Sequence, residues 1–529
     1  MSNTPASSVS DGAGPAPLAM PDTDDARSPA AASGPHPAQD REHHSTLILS
    51  NAGFRAIADI GSKLATAALY LIVARKTGAS QFGIFAFAIS FAGIAVTLGQ
   101  FGQEFVLVRE VARDRRRLDE YYSSVLLSRV TMAVPPLLIA LAVVSLGGMS
   151  AHTRLVILLM GVGFIGDSLV QVSFSVFQAL ERVNFIPPVL ITQRWLTTIV
   201  AVVLLYRGDG IVGVAAVYCA GTGLAACLAA WVLYTKVARP RLKLNVRAAL
   251  DVTRAGVPIG LGVLAVTLLA RIDMTMLAAF KPSAQVGQYG AAYRLLETTA
   301  FVTWSLSVAT LPAMARLSPT TTPPVGAVYQ RALKLVLAIT LPTALGAAIL
   351  AAPIVALLYG SQYHQAAGAL VLLAPTITLA PVSALSSQLL YAQDVKRVVP
   401  LTYFLVFLEN AVVNLILIPR YSLDGAAVGT SISEVLVAGT LLLCARHLRG
   451  RLEVRRLLAG TLFGGCAAAA VMILFRHQLA LAVPVAIVVY LALLLAHERR
   501  VFPEDYAIGR SFATKLLRRQ PRASVGYEV

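Results

Sequence analysis

Lys76-Thr77-Gly78-Ala79-Ser80-Gln81-Phe82-Gly83 is a short polar turn between two apolar runs. Later in the chain Lys281-Pro282-Ser283-Ala284-Gln285-Val286-Gly287-Gln288-Tyr289-Gly290 occupies the same setting. Superposing the aromatic-glycine pairs puts Gly83 on Gly290, an offset of 207 residues. A second pair, Tyr206-Arg207-Gly208-Asp209-Gly210-Ile211-Val212-Gly213 and Pro419-Arg420-Tyr421-Ser422-Leu423-Asp424-Gly425, aligns Gly213 with Gly425 at an offset of 212. Two similarities at nearly one offset mark an internal repeat. The chain reads as two halves of one design.

The flanking runs define the class. Hydrophobic residues make up 57% of the 529 and charged residues 13%, against about 25% charged in soluble domains, so lipid must cover most of the surface. A window of about twenty residues, the length that crosses the hydrocarbon, picks out about fourteen spans. The sequence thus predicts an all-α integral membrane protein with two six-helix lobes, 47–234 and 255–446, around a central cavity. A basic linker, 235–254, joins them, a further helix pair occupies 447–496, and tails lie at 1–46 and 497–529. The first tail is polar and rich in Ala, Pro and Ser, without a signal-peptide core, and reads as disordered. The last carries Arg510 to Arg519, a short basic amphipathic helix in prospect.

Lys and Arg set the orientation. With the N-terminus inside, the cytoplasmic stretches and adjoining helix ends hold 31 of them and the opposite loops 7. The positive-inside rule then predicts both termini in the cytoplasm and an even number of helices. Because both halves begin inside, the repeat is parallel, about an axis along the membrane normal, as in transporters. The net charge of +17 follows from the same loops; no continuous basic stripe suits a nucleic-acid backbone, so no nucleic-acid partner is expected. Membrane lipids are the natural partners of the basic loops. Cys219, Cys227, Cys444 and Cys466 all lie in apolar runs without metal-ligand spacing.

Several short elements resemble one family. They are Val73 to Gly83, similar to "ARxLGPxxFG" with Thr77 in place of the usual Leu; Gln100-Phe101-Gly102 with Arg109-Glu110; Val286 to Gly290 with Tyr293-Arg294; Leu311-Pro312; Leu358-Tyr359-Gly360; and Asn410 with Asn414, Pro419 and Gly425-Ala426-Ala427. Their order resembles the polysaccharide (Wzx-like) branch of the multidrug/oligosaccharidyl-lipid/polysaccharide (MOP) exporter superfamily. The resemblance implies a flippase of the inner (plasma) membrane that moves an undecaprenyl-pyrophosphate-linked oligosaccharide to the outer leaflet by alternating access, for exopolysaccharide, O-antigen or capsule assembly. It implies no enzyme activity and no cofactor beyond H+ or Na+ coupling, a cationic N-lobe cavity, and polymerase or glycosyltransferase partners.

Charges inside spans carry what chemistry the sequence can show. Each costs about 2.5–3.5 kcal/mol on insertion scales and persists when paired, snorkelled or wetted by a cavity. Arg55, Asp59 and Lys63 share one helix face, as a cationic ladder or a self-neutralising one. Arg194 has no acidic residue within a turn; it either pairs with Asp167 on the preceding helix or grips phosphate with its planar fork. Arg129 lies near enough to its helix end to snorkel. Arg294 and Glu297 are one turn apart and should pair, whereas Arg271 and Asp273 point different ways. The cavity cations are therefore Arg55, Lys63, Arg129, Arg194, Arg271 and Arg294, and the candidates for ion coupling Asp59, Asp167, Asp273 and Glu297. Asn410 and Asn414 share a face suited to helix-to-helix hydrogen bonds.

Two other functions compete with the flippase. A drug or small-molecule antiporter of the same superfamily would prefer an acidic, aromatic cavity, where the intramembrane excess here is basic. A membrane glycosyltransferase, polymerase or ligase would need a large external loop with catalytic carboxylates, and the outer loops are short. No GxxxxGK[ST] phosphate loop occurs.

Overall fold

The computed structural model describes the backbone of residues 37–243, 245–317 and 324–503, with side chains from Gly61 onward except those of 300–313 and 454. Most of the predicted N-terminal tail and the basic helix at Arg510 to Arg519 lie outside the described residues. Residues 1–50 and 51–529 are separate units. In the first the backbone from Pro37 is helical, and everything below concerns the second.

All regular structure among the described residues is helical. The order is α1 (Pro37–Leu98), α2 (Gln103–Arg113), α3 (Leu118–Leu146), α4 (Ala151–Ala179), α5 (Ile186–Arg207), α6 (Gly210–Val232), α7 (Val246–Phe280) and α8 (Ser283–Ala315). Then follow α9 (Val325–Ile349), α10 (Ala351–Tyr359), α11 (His364–Leu373), α12 (Thr376–Ala392), α13 (Val398–Cys444), α14 (Arg446–Arg449), α15 (Val454–Leu474) and α16 (Leu479–Val501). Among the described residues ten helices are long and apolar enough to cross a membrane, eleven with the bent segments 361–373 and 376–392 taken as one span.

Two helices double back. Gly78 interrupts α1 at φ 77°, ψ 170°, a conformation open to glycine. The rings of Tyr70 and Phe85, about 22 Å apart along an unbroken helix, lie 5.8 Å from each other. Ser422 interrupts α13 at φ 57°, ψ −130°, held there by a hydrogen bond from its hydroxyl to Gln285. Asn410 and Ser433, about 35 Å apart in a straight helix, are joined by a 3.0 Å hydrogen bond. Each is a hairpin of two arms, as the sequence reading requires. Segments 361–373 and 376–392, taken as one span, are bent by 45° at Pro375. Pro187 and Pro188 begin α5 and do not kink it.

One element departs from the expectation of a plain basic loop after Phe101. Residues 103–113 form α2, which buries Val106, Leu107 and Val111 and leaves its arginines outward. An amphipathic helix of eleven residues is too short to cross the membrane and lies against α3, α4 and α7.

The halves meet at the duplicated turns. A methyl group on Gly83 would lie 1.8 Å from the carbonyl oxygen of Ser283, and one on Gly287 1.9 Å from that of Ala79. Adding 204 to Ala79 and Gly83 gives Ser283 and Gly287, so the two contacts exchange under the internal twofold. The true register of the repeat here is therefore 204 and not 207, and the glycine facing Gly83 is Gly287. Small residues four apart on each helix allow this approach. Ser80 and Ser283 hydroxyls, 2.8 Å apart, Tyr363 donating to the Ala74 carbonyl at 3.0 Å and Arg75 donating to Leu357 and Leu358 close this end of the interface.

At the other end α7 carries the contact. Gly256 and Gly260 let the backbone at Phe101 and Gly102 come close, and Gln103 donates to Thr253 at 3.0 Å. The final pair, α15 and α16, packs on α9 through the Lys334–Glu498 ion pair at 2.5 Å and Tyr490 donating to the Ala338 carbonyl.

Candidate functional site

Two adjoining cavities lie between the lobes and share Lys63, Leu190 and Glu297 in their walls. The larger, about 900 Å³, is lined by Arg194 of α5, Arg271 of α7 and Arg294 of α8, with Asp167 of α4. Among the described residues four cations (those three and Lys63) face two carboxylates, Asp167 and Glu297. The chamber is net cationic.

Each arginine is held by a different device. Arg194 meets Asp167 at 3.4 Å, and Gln193 donates to the other oxygen of the same carboxylate at 3.0 Å. Of the two possibilities left open for Arg194, the pairing with Asp167 is realised, and the residue also lines the cavity. Arg294 bonds to Glu297, one turn on, and its guanidinium lies 4.0 Å from the centre of the Tyr70 ring on α1, a cation–π contact between lobes. Arg271 donates to the Ile89 carbonyl at 3.3 Å. The bare Cα of Gly93 makes room for its head, since a methyl there would lie 3.3 Å from the guanidinium. A planar fork with one side committed and the other turned to a wet cavity retains donors for an anion.

The second cavity, about 700 Å³, differs in chemistry. Its polar wall is mostly neutral, with Gln171 and Gln178 from α4, Thr376 and Gln388 from α12, and Tyr403 and Asn410 from α13. Glu434, also on α13, is the carboxylate that it adds to the shared Glu297.

Arg129 is not a cavity cation. It is 1% exposed and meets Glu104 of α2 at 3.2 Å, while its Nε and Nη1 have no partner among the described residues. Its closeness to the helix end does not let it snorkel, because α2 packs on α3 there and supplies Glu104 as its partner. Asp273 likewise lines neither cavity. It is 2% exposed and accepts from Asn414 at 2.5 Å, Thr430 at 2.5 Å and Tyr289 at 3.2 Å. The cluster reaches the smaller cavity through Asn410 and Thr430. Arg271 and Asp273 do face apart. The side chains of Arg55 and Asp59 lie outside the described residues, and of that ladder Lys63 is seen in the cavity wall.

Sequence reasoning missed the aromatic part of the site. Tyr70 and Tyr218 line the cationic cavity, and nothing in their spacing distinguished them from core tyrosines. It also missed Glu104, whose value as a partner depends on α2 being a helix.

The family model described as "Polysaccharide biosynthesis protein" matches residues 48–318. The chain is 23% identical over 373 residues, 68% of its length and 75% of the relative's, to the "Probable low-salt glycan biosynthesis flippase Agl15" of Haloferax volcanii. Among solved structures it is similar to the lipid II flippase MurJ in an inward closed conformation, with a TM-score of 0.73 at 15% identity over 84% of this chain and 98% of that one. It is also similar to an inward-facing multidrug resistance MATE family transporter of the MOP superfamily, with a TM-score of 0.61 at 18% identity over 73% and 94%.

Proposed function

Since the chain belongs to the polysaccharide biosynthesis protein family, the Wzx-like branch of the MOP exporters, we propose that it flips an undecaprenyl-pyrophosphate-linked oligosaccharide across the inner membrane. The sugar passes from the cytoplasmic to the outer leaflet by alternating access, for exopolysaccharide, O-antigen or capsule assembly. The observation that carries this reading is the cluster of Arg194, Arg271 and Arg294, drawn from both lobes into one cavity with fewer carboxylates than cations.

Charges at this depth are costly unless wetted and matched. A diphosphate supplies the matching charge, and arginine forks bind its oxygens two at a time. The polyprenyl tail stays in lipid while the head group occupies the cavity, so only the polar part needs a path through protein. The contacts at Gly83 and Gly287 close one end. With the basic loops in the cytoplasm, that end faces outward and the cargo enters from inside. Outward release requires these contacts to part and the α2–α7 end to close further.

The buried Asp273, with Asn414, Thr430 and Tyr289 around it, is the group to which we assign coupling to H+ or Na+. Its neighbours can turn oxygens towards a cation, the amide of Asn414 included, because a primary amide presents an acceptor oxygen when it flips. Glycosyltransferases and a polymerase acting before and after the flip are the partners that this function requires. The antiporter reading is disfavoured by the same cationic cavity.

The test is flipping in proteoliposomes. Undecaprenyl-pyrophosphate trisaccharide should cross with the protein, and the same trisaccharide on a neutral lipid should not. The combined Arg271→Ala and Arg294→Ala variant should lose at least about tenfold of the rate, two charged hydrogen bonds being worth well over one decade. Equal transport of both lipids, or an undiminished double variant, would refute the assignment.

A further inference from the structure

Resting on the flippase reading, we propose that the smaller cavity seats the first sugars beyond the diphosphate, and that Glu434 makes the protein select neutral or amine-bearing sugars over acidic ones. The charges of the chamber are segregated. The three arginines line the larger cavity, while among the described residues no arginine lines the smaller. There the cation is Lys63, at the shared boundary, and the carboxylates are Glu297, bonded to Arg294, and Glu434.

Glu434 stands apart from every other carboxylate of the chamber. Asp167 and Glu297 each have an arginine. Glu434 meets no Lys or Arg among the described residues, and its buried Oε2 has no hydrogen-bond donor. Gln388, on the facing α12, has a buried Oε1 in the same condition, and both residues line this cavity. Two acceptors without donors among the described residues, in a wall that carries amides and hydroxyls among apolar side chains, suit a ligand rich in donors that a rotation of either side chain brings into reach. Sugar hydroxyls, N–H groups and ammonium groups are such donors, and the Tyr403 ring beside them offers a flat face. A uronate or other acidic sugar would bring a second negative charge to Glu434, where no arginine among the described residues offsets it and Lys63 stands at the boundary with the larger cavity, and like charges placed together are how a site rejects a ligand. Because the diphosphate end is fixed by the arginines, the sugars next to it have no freedom to avoid this wall.

The experiment uses the full chain in detergent and three probes on one polyprenyl pyrophosphate: a neutral N-acetylglucosamine trisaccharide, one whose first sugar beyond the diphosphate is glucosamine with a free amine, and one whose first sugar is glucuronate. Wild type should bind the glucuronate probe at least about tenfold more weakly than either of the others. Glu434→Gln should bring that ratio within about threefold, Glu434→Lys should invert it, and Glu434→Asp should preserve it. Thermal unfolding of each variant checks that it is folded. A ratio that survives Glu434→Gln overturns the proposal, as does an equal loss for all three probes, which would mark Glu434 as a structural or coupling group. If wild type binds none of the three probes, the flippase reading itself fails, which is a different result from a flippase without sugar discrimination.

Discussion

Replacing Gly83 or Gly287 by alanine should force apart the end of the lobe interface that these glycines close. The added methyl at Gly83 would lie 1.8 Å from the Ser283 oxygen and 2.8 Å from the Gly287 nitrogen, and the one at Gly287 1.9 Å from the Ala79 oxygen. These neighbours are backbone atoms, so no side chain can swing aside, and carbon and oxygen need about 3 Å or more. The helices must separate by roughly 1 Å, at the cost of about 1–3 kcal/mol that overpacking brings. Taking about 2 kcal/mol, the balance between closed and open forms moves by about thirtyfold. Ser80 and Ser283, with hydroxyls 2.8 Å apart, provide the gauge. In a chain freed of its four thiols, Cys219, Cys227, Cys444 and Cys466, the pair Ser80→Cys and Ser283→Cys should crosslink readily under mild oxidant. Gly83→Ala or Gly287→Ala in that background should slow the crosslink by at least about tenfold, in keeping with the population shift. Flipping should fall as well, because one of the two alternating states is disfavoured. Equal crosslinking with and without the alanines would show that the close approach does not hold the closed state.

Three further outcomes are expected. Arg194→Ala should abolish flipping in a folded, inserted protein, and Arg194→Lys should restore part of it, since the charge returns without the fork; full complementation by the alanine variant would remove Arg194 from the site. Arg129→Ala should lower thermal stability by about 2–4 kcal/mol, toward the cost of breaking a buried pair but discounted for the partial exposure of Glu104. The double variant with Glu104→Ala should cost less than the sum of the single ones, and strict additivity in that cycle would deny the pairing. Asp273→Asn should uncouple flipping from an imposed H+ or Na+ gradient while downhill exchange of lipid-linked sugar continues; a variant that responds to both gradients like wild type would clear Asp273 of coupling.

The sequence by itself determined that this chain is a helical membrane protein built as a repeat, because hydrophobicity over twenty residues and turn chemistry are local properties. Pairing within one helix was legible for the same reason: Arg294 and Glu297 are neighbours by helical geometry alone. Contacts between helices were not. Arg129 and Arg194 are each a lone arginine in an apolar run, yet one is sealed under α2 against Glu104 and the other lines a cationic cavity, because what covers a helix face is set by other segments. The same limit displaced the repeat register to 207, since Phe82-Gly83 matches the aromatic-glycine pair Tyr289-Gly290 in that frame and Val286-Gly287 in the frame of 204, while the reciprocal contacts of Gly83 and Gly287 exist only once the two lobes are packed. Tertiary structure alone decided which cations share a chamber, and that Asp273 is enclosed by hydroxyls and an amide, since the water or protein around a buried charge comes from distant parts of the chain.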